Sequence, residues 1–372
     1  MGRKIRSLIV FLLLIGIVTT IVYYYKGKNE PAVKNTAEAS QVKKPEESKA
    51  PVKKTEPEKK ENKEFTLSFA GDCTLGTDTR FAYNGNFIDV FNKSGKDYSY
   101  NFKNVYPIFS KDSLTVVNLE GTFTEATKKA VKTYNFKAPK DYVNILKEGS
   151  IEAVNTANNH AFDYLQKGFD DTIATLKEAK VGYFGNGYSY VKEIDGVKFG
   201  FLGYLGFNSD NKTLVKIKSD IKKLKDQGCF VAVTFHWGIE RDYYPAAAQK
   251  TLAKFSIDNG ADLIIGHHPH VLQGLEVYKD RMICYSMGNF SFGGNSNPSD
   301  KDTMIAQIKL NYEGNDIKGY AFKVIPCSLS SVSGRNNYQP TPLKGSEKER
   351  VLKKINKMSF GFKASDEFIK IY

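Results

Sequence analysis

The chain has five histidines: His160, His236, His267, His268 and His270. Each follows directly on a β-rich run. His160 closes Ala157-Asn158-Asn159-His160, and His236 precedes the only tryptophan, Trp237. The other three share Gly266-His267-His268-Pro269-His270. Two carboxylates end further β-runs beside glycine, Asp72 in Gly71-Asp72 and Glu120 in Asn118-Leu119-Glu120-Gly121. Carboxylate, amide oxygen and imidazole are hard and borderline metal ligands, so a site mixing them suits Mn²⁺, Zn²⁺ or Fe better than Ca²⁺ or a thiolate-bound metal. His268 and His270, spaced His-x-His on one short loop, can face two metals or one. A metal-bound water has its pKa lowered toward neutrality and becomes a nucleophile. Two metals bridged by one carboxylate can clamp the attacking and leaving oxygens of a phosphoester, and an uncoordinated histidine can protonate the leaving group.

Singly, each signal is weak. A Gly-Asp after a strand is ordinarily a turn, and a lone histidine is ordinarily a hydrogen-bonded core or surface residue. The weight comes from the set, because no histidine is left over for a structural role. Asn118 and Asn289 are site-lining amides or strand-end turn residues. Trp237 forms a substrate wall or packs. Arg241, Lys132 and Lys137 are candidate contacts for an anionic substrate, against the simpler reading as solvated surface.

The elements that must position these residues are legible as β-runs at Phe65–Ala70, Leu114–Asn118, Ile151–Thr156, Lys198–Tyr204, Phe230–Phe235 and Asp262–Ile265. Apolar residues recur at helical spacing in Gly168–Ala179, Thr213–Gln227 and Ala246–Asn259. Strands separated by helices imply βαβ units and largely parallel pairing. In such sheets sites form outside the carboxyl ends of the strands, where every histidine here falls. After Gly266 the texture changes. Val271–Val277, Arg281–Ser286, Thr303–Tyr312 and Ile317–Pro326 follow one another with short turns at Lys279-Asp280 and Glu313–Asp316, so this half is expected to be antiparallel. Ser346–Met358 reads as a final amphipathic helix. The pattern suits a sheet-on-sheet α/β sandwich with helices on the outer faces.

Gly71-Asp72, Asn118-Leu119-Glu120, Ala157-Asn158-Asn159-His160, His236-Trp237-Gly238, Gly266-His267-His268-Pro269-His270 and Tyr285-Ser286-Met287-Gly288-Asn289-Phe290 together resemble the bacterial capsule-synthesis proteins of the CapA type, associated with poly-gamma-glutamate production. The resemblance covers about residues 65–330. That family is in turn similar to the calcineurin-like metallophosphoesterases, which implies a four-layer α/β/β/α sandwich and a site for one or two divalent ions. Carried over by position, the resemblance implies Asp72, Glu120, Asn159, His236, His268 and His270 as metal ligands, with Glu120 bridging. It makes His160 the catalytic proton donor. One metal would take Glu120, Asn159, His236 and His268, the other Asp72, Glu120 and His270. Asn118, Asn158, Trp237, His267 and Asn289 are the expected substrate contacts. One departure stands out. The phosphoesterase pattern is Asp-x-His at the first strand, and this chain has Asp72-Cys73-Thr74. The Asp72 metal is therefore one ligand short, and is expected to be weak, empty, or completed by Cys73 or water.

Composition bounds the remaining questions. With 372 residues, 41% hydrophobic and 13% aromatic, the chain can bury a sizeable core, which excludes a wholly disordered protein. Four scattered cysteines exclude a disulfide-stapled scaffold, and no disulfide is expected. Cys229 and Cys284 read as buried thiols. The net charge is +13, but six of those charges precede residue 65. Residues 1–7 carry Arg3, Lys4 and Arg6, and residues 8–25 are an uninterrupted apolar run closing on Tyr23-Tyr24-Tyr25. Such a run is long enough to span a bilayer. The positive-inside rule puts the N-terminus in the cytoplasm and the C-terminal part outside. The absence of small residues after the run favours an uncleaved signal anchor over a cleaved signal peptide. Residues 26–64, rich in Lys, Glu and Pro and without aromatics, read as a disordered tether. Residues 65–330 are the expected catalytic-type domain and 331–372 a C-terminal extension. The modest charge beyond residue 64 fits an anionic envelope polymer such as poly-gamma-glutamate. Membrane subunits of capsule synthesis are candidate partners, and no nucleic-acid partner is expected. Two function classes stand: a membrane-anchored extracellular metallohydrolase of a phosphoester or envelope polymer, and a non-catalytic polymer-binding or assembly component.

Overall fold

A computed structural model describes residues 61–372. The apolar run at 8–25 and nearly all of the tether lie outside the described residues, as does the anchor expected there. Among the described residues no helix is long and apolar enough to cross a membrane.

The described residues begin with β1 (Asn62–Thr74), so three residues assigned to the tether already form strand. Next come β2 (Leu114–Leu119), the short pair β3 (Thr122–Phe123) and β4 (Lys137–Ala138), then β5 (Ala153–Asn155) and β6 (Gly182–Phe184). The hairpin β7 (Ser189–Ile194) and β8 (Val197–Gly206) precedes β9 (Phe230–Trp237) and β10 (Leu263–His267). The later strands are β11 (Leu275–Tyr278), β12 (Arg281–Cys284), β13 (Asn289–Phe292), β14 (Asp302–Glu313), β15 (Asp316–Ser328), β16 (Thr341–Pro342) and β17 (Ile369–Lys370). The longer helices are Leu165–Glu178, Asn211–Lys225, Ala247–Asp258 and Gly345–Met358. They lie within a few residues of the helical spans expected from spacing. Asp210 caps the second, accepting a 2.8 Å bond from the Thr213 amide.

Two large sheets result. The first runs β16-β15-β14-β1-β2-β5-β6, with β13 beside β1 and β17 beside β15. The second runs β11-β12-β10-β9-β8-β7. Period-two alternation lets one strand serve two cores. In β9, Phe230 and Ala232 face the core between the sheets, while Val231, Val233, Phe235 and Trp237 face the helices outside. In β1, Phe65, Leu67 and Phe69 point to the shared core and Ala70 and Cys73 to the opposite face, against Phe87, Phe91 and Phe102. Val351, Leu352, Ile355 and Met358 of the final helix enter the shared core, so this helix closes one side of it.

The expectation of antiparallel pairing after Gly266 holds for β11–β12 and β14–β15. It fails for β12, which lies parallel to β10, and for β13, which lies parallel to β1. Adjacency in sequence favours hairpins, but β12 fills a slot beside β10 where its apolar residues are covered on both faces. The β7 strand was not foreseen, because an edge strand half open to solvent lacks an apolar run. Its signal was the turn Asp195-Gly196, both with positive φ, a conformation that suits a two-residue hairpin. Residues 341–342 and 369–370 pair with β15, which ties the C-terminal segment into the first sheet.

Candidate metal centre

The carboxyl ends of β1, β2 and β5 lie in register, with Asp72 opposite Asn118 and Asn118 opposite Asn155. In the second sheet His236 is opposite His267. These ends meet at one place. Glu120, just past β2, is wholly buried, and neither of its carboxylate oxygens has a hydrogen-bond partner. Three imidazoles turn Nε2 toward Glu120 Oε1: His160 at 3.8 Å, His236 at 3.7 Å and His270 at 3.8 Å. His236 Nε2 and Asn159 Oδ1 sit 2.8 Å apart, two ligand-type atoms side by side. His268 packs on His236 with ring centroids 4.7 Å apart, and its Nδ1 is buried without a partner.

Asp72 anchors the other side. It accepts 2.8 Å from Asn118 Nδ2 and 3.3 Å from the His268 backbone amide. His267 Nδ1 lies 3.2 Å from one of its oxygens and His270 Nδ1 3.3 Å from the other. Burial alone would raise the Asp72 carboxyl, but the two imidazoles hold it well below the usual carboxylate range. His270 Nδ1 also faces Asn289 Oδ1 at 2.8 Å, leaving Nε2 to face Glu120. Burial opposes the His270 proton, yet Glu120 and Asp72 raise its pKa to about 9. Burial pushes Glu120 itself up, against the pull of the His270 cation. Burial drives His236 and His268 the other way, His268 to about 4, so both are neutral imidazoles. Within one small volume sit three sets of donors whose ligand atoms lie within 4.8 Å of one another: Glu120, His236 and His268; Asp72, Glu120 and His270; and Glu240, His268 and His270. Buried carboxylate oxygens with no partner are costly, and an ion satisfies them.

His160 stands at the rim. Its Nδ1 is 2.7 Å from Asp163 Oδ2, and its ring leans on Phe136 at 4.3 Å. Asp163 is wholly buried and also accepts from the Phe136 amide and from Lys132 Nζ at 2.8 Å. Burial lowers the His160 pKa, with Asp163 opposing. A cavity of about 120 Å³ opens beside His160, His270, Asn289, Glu240 and Arg241. A larger cleft of about 500 Å³, lined by Tyr188, Tyr204, Lys216 and Asp220, holds none of the clustered ligands.

Several expected substrate contacts are spent inside the protein. Trp237 is wholly buried, donates to the Tyr285 carbonyl at 2.8 Å and stacks on Phe235, so it is a core residue. Asn118 accepts from Asn155 and donates to Asp72, which makes it a brace for that carboxylate. Asn158 donates to the Leu119 carbonyl and receives the His160 amide, bracing the loops of Glu120 and His160. His267 is buried behind Asp72. Asn289 orients His270 and still borders the cavity. Lys132 turns inward to Asp163, and Lys137 donates to the Ala126 carbonyl. Cys73 does not complete the Asp72 side. Its thiol points into the core, donates to the Gly71 carbonyl, and is pushed far up by burial. Asp163 and Glu240 were not singled out from the sequence. Their signals were short spacings, Asp163 three residues after His160 and Glu240 four after His236.

Residues 66–294 match the family model "Bacterial capsule synthesis protein PGA_cap". The chain belongs to this family. The PGA_cap match spans every residue of the cluster. The chain is 32% identical to the "Capsule biosynthesis protein CapA" of Bacillus anthracis over 84% of its own length and 76% of that protein. It is 29% identical to the "PGA biosynthesis protein CapA" of Bacillus subtilis (strain 168) over 81% of its own length and 80% of that protein. Among solved structures it matches a purple acid phosphatase from yellow lupin seeds at a TM-score of 0.33 and 9% identity, covering 71% of this chain and 52% of the phosphatase.

Proposed function

We propose that this PGA_cap protein is a metal-dependent hydrolase of capsule or poly-gamma-glutamate biosynthesis, held at the outer face of the cell membrane by its N-terminal segment. It acts on a phosphoester or on an anionic envelope polymer. The observation that carries this reading is the convergence of three histidine Nε2 atoms on a buried Glu120 whose two oxygens have no partner. Two sheets sharing a core, with helices packed outside, support the metallophosphoesterase sandwich that the resemblance implies.

The donors fit one or two divalent ions of the Mn²⁺, Zn²⁺ or Fe class. Glu120, Asn159, His236 and His268 would hold one, and Asp72, Glu120 and His270 the other. A divalent ion supplies positive charge that activates a water and offsets charge developing on the substrate. The chain's own residues do the rest. Asp72 and Asn289 fix the His270 ring so that Nε2 faces inward. Asp163 binds Nδ1 of His160, which leaves Nε2 to exchange a proton with the leaving group. Phe136 and Phe292 border the cavity and limit water there.

A second reading has one observation in its favour. Thr74 stands where a ligand is expected, its hydroxyl buried without a partner. A weakened centre would suit a polymer-binding or assembly component that keeps the cleft without the chemistry. Metal analysis of the detergent-solubilised full-length chain, coupled to hydrolysis of an aryl phosphodiester and of poly-gamma-glutamate, separates the two. Metal-dependent turnover that disappears in His160→Ala with metal retained supports the hydrolase. Bound metal with no turnover on either substrate, and a His160→Ala strain that makes capsule normally, supports the second reading.

A further inference from the structure

We infer that Glu240 is a further metal ligand of this centre, beside His268 and His270. The inference rests on the metal-centre reading above. Glu240 lies in the loop after β9, outside the set carried over by resemblance. Its carboxylate is within 4.8 Å of ligand atoms of both His268 and His270. His268 belongs to the Glu120–His236 group and His270 to the Asp72–Glu120 group, so Glu240 stands where the two groups meet.

Two features hold it there. The Arg241 amide donates 2.8 Å to the Pro269 carbonyl, which pins the Glu240 loop onto the turn between His268 and His270. The second is the unmet demand it faces. His268 is 7% exposed with Nδ1 unpartnered, and the Glu120 oxygens are buried and unpartnered beside it. Glu240 is itself exposed and borders the cavity, so it would close the centre from the solvent side. Carboxylate oxygen is a suitable donor for the same ions that imidazole takes. With Glu240, the centre gains a further anionic oxygen ligand, which favours Mn²⁺ or Fe²⁺ over softer ions.

The test is Mn²⁺ titration of the metal-free full-length chain by calorimetry, with bound metal counted by mass spectrometry after gel filtration. Glu240→Gln keeps the shape and removes the anionic donor. The expected result is loss of one bound ion, or an affinity about tenfold or more weaker for the weaker-bound ion. The deficit should persist at ~1 M salt, where the screening length is only about 3 Å and a through-space charge effect is suppressed. Metal-free thermal melting should be unchanged, since Glu240 is exposed. Wild-type stoichiometry and affinity in Glu240→Gln, or a deficit that closes at high salt, overturns the ligand assignment and leaves the metal centre standing. A wild-type chain that takes up no Mn²⁺, Zn²⁺ or Fe²⁺ overturns both.

Discussion

At the scale of single residues, the centre is held open by groups in opposite protonation states. Before metal enters, His270 carries a proton with a pKa of about 9, and Glu120 is pushed up by burial. The proton held between them must leave before both become ligands. Metal uptake near pH 7 is therefore expected to release about one proton per centre, and affinity to fall as pH drops below about 9. Calorimetry in two buffers of different ionisation enthalpy measures the number; uptake with no proton release would contradict the assignment. His160 depends on Asp163 in a different way. Asp163→Asn is expected to cut turnover by roughly 10²- to 10⁴-fold, the range for a misoriented general acid, with bound metal unchanged. A fall in metal content of the same size would move Asp163 from proton transfer to site assembly. The ligand types were readable in the sequence because the histidines are so few. Asp163 and Glu240 were not, because Asp and Glu are common and only proximity in space distinguishes these two.

At the scale of elements, the site depends on how closely β1 and the segment before β13 approach. The Asp72 amide donates 3.0 Å to the Gly288 carbonyl, and a side chain on Gly71 would put its Cβ 2.0 Å from that oxygen. Backbone cannot yield there as a flexible side chain would. Gly71→Ala is expected to destabilise the fold by about 1–3 kcal/mol or more, as overpacking does, and to shift Asp72. Urea unfolding reads the first effect and metal affinity the second. Normal stability with normal metal affinity would show that the strand can move aside. Short β-rich runs marked β1, β2, β9 and β10 in the sequence. It did not mark β7, whose half-exposed edge position needs no apolar run, nor the parallel placement of β12 and β13, which long-range packing decides.

At the scale of the molecule, the centre joins two sheets. Asp72 and Glu120 come from the first, His236 lies in β9 of the second, and His268 and His270 follow β10. An ion bound by both should stabilise the folded chain by about 2.7 kcal/mol when free metal is a hundredfold above Kd. Chelation is therefore expected to lower the melting temperature of the wild type and to leave a Glu120→Gln chain unaffected. An equal fall in both would place the metal elsewhere. The N-terminal segment has its own test. The mature protein should begin at its initiator end and fractionate with membranes; a soluble product starting near Ala39 would contradict the anchor.

The sequence alone determined the ligand chemistry, the alternating strands and helices, and the family to which the chain belongs. Those features are local: they are written in residue type, in short β-rich runs and helical spacing, and in ordered short motifs. Tertiary structure decided which polar residues face the centre and which are spent holding it. Trp237, Asn118 and His267 lie within two residues of candidate ligands in the chain, yet pleating and register turn them into braces and core. Glu240 and Asp163 become neighbours of the site only because two loops are pinned together by backbone hydrogen bonds and a buried carboxylate, contacts that no short window of sequence records.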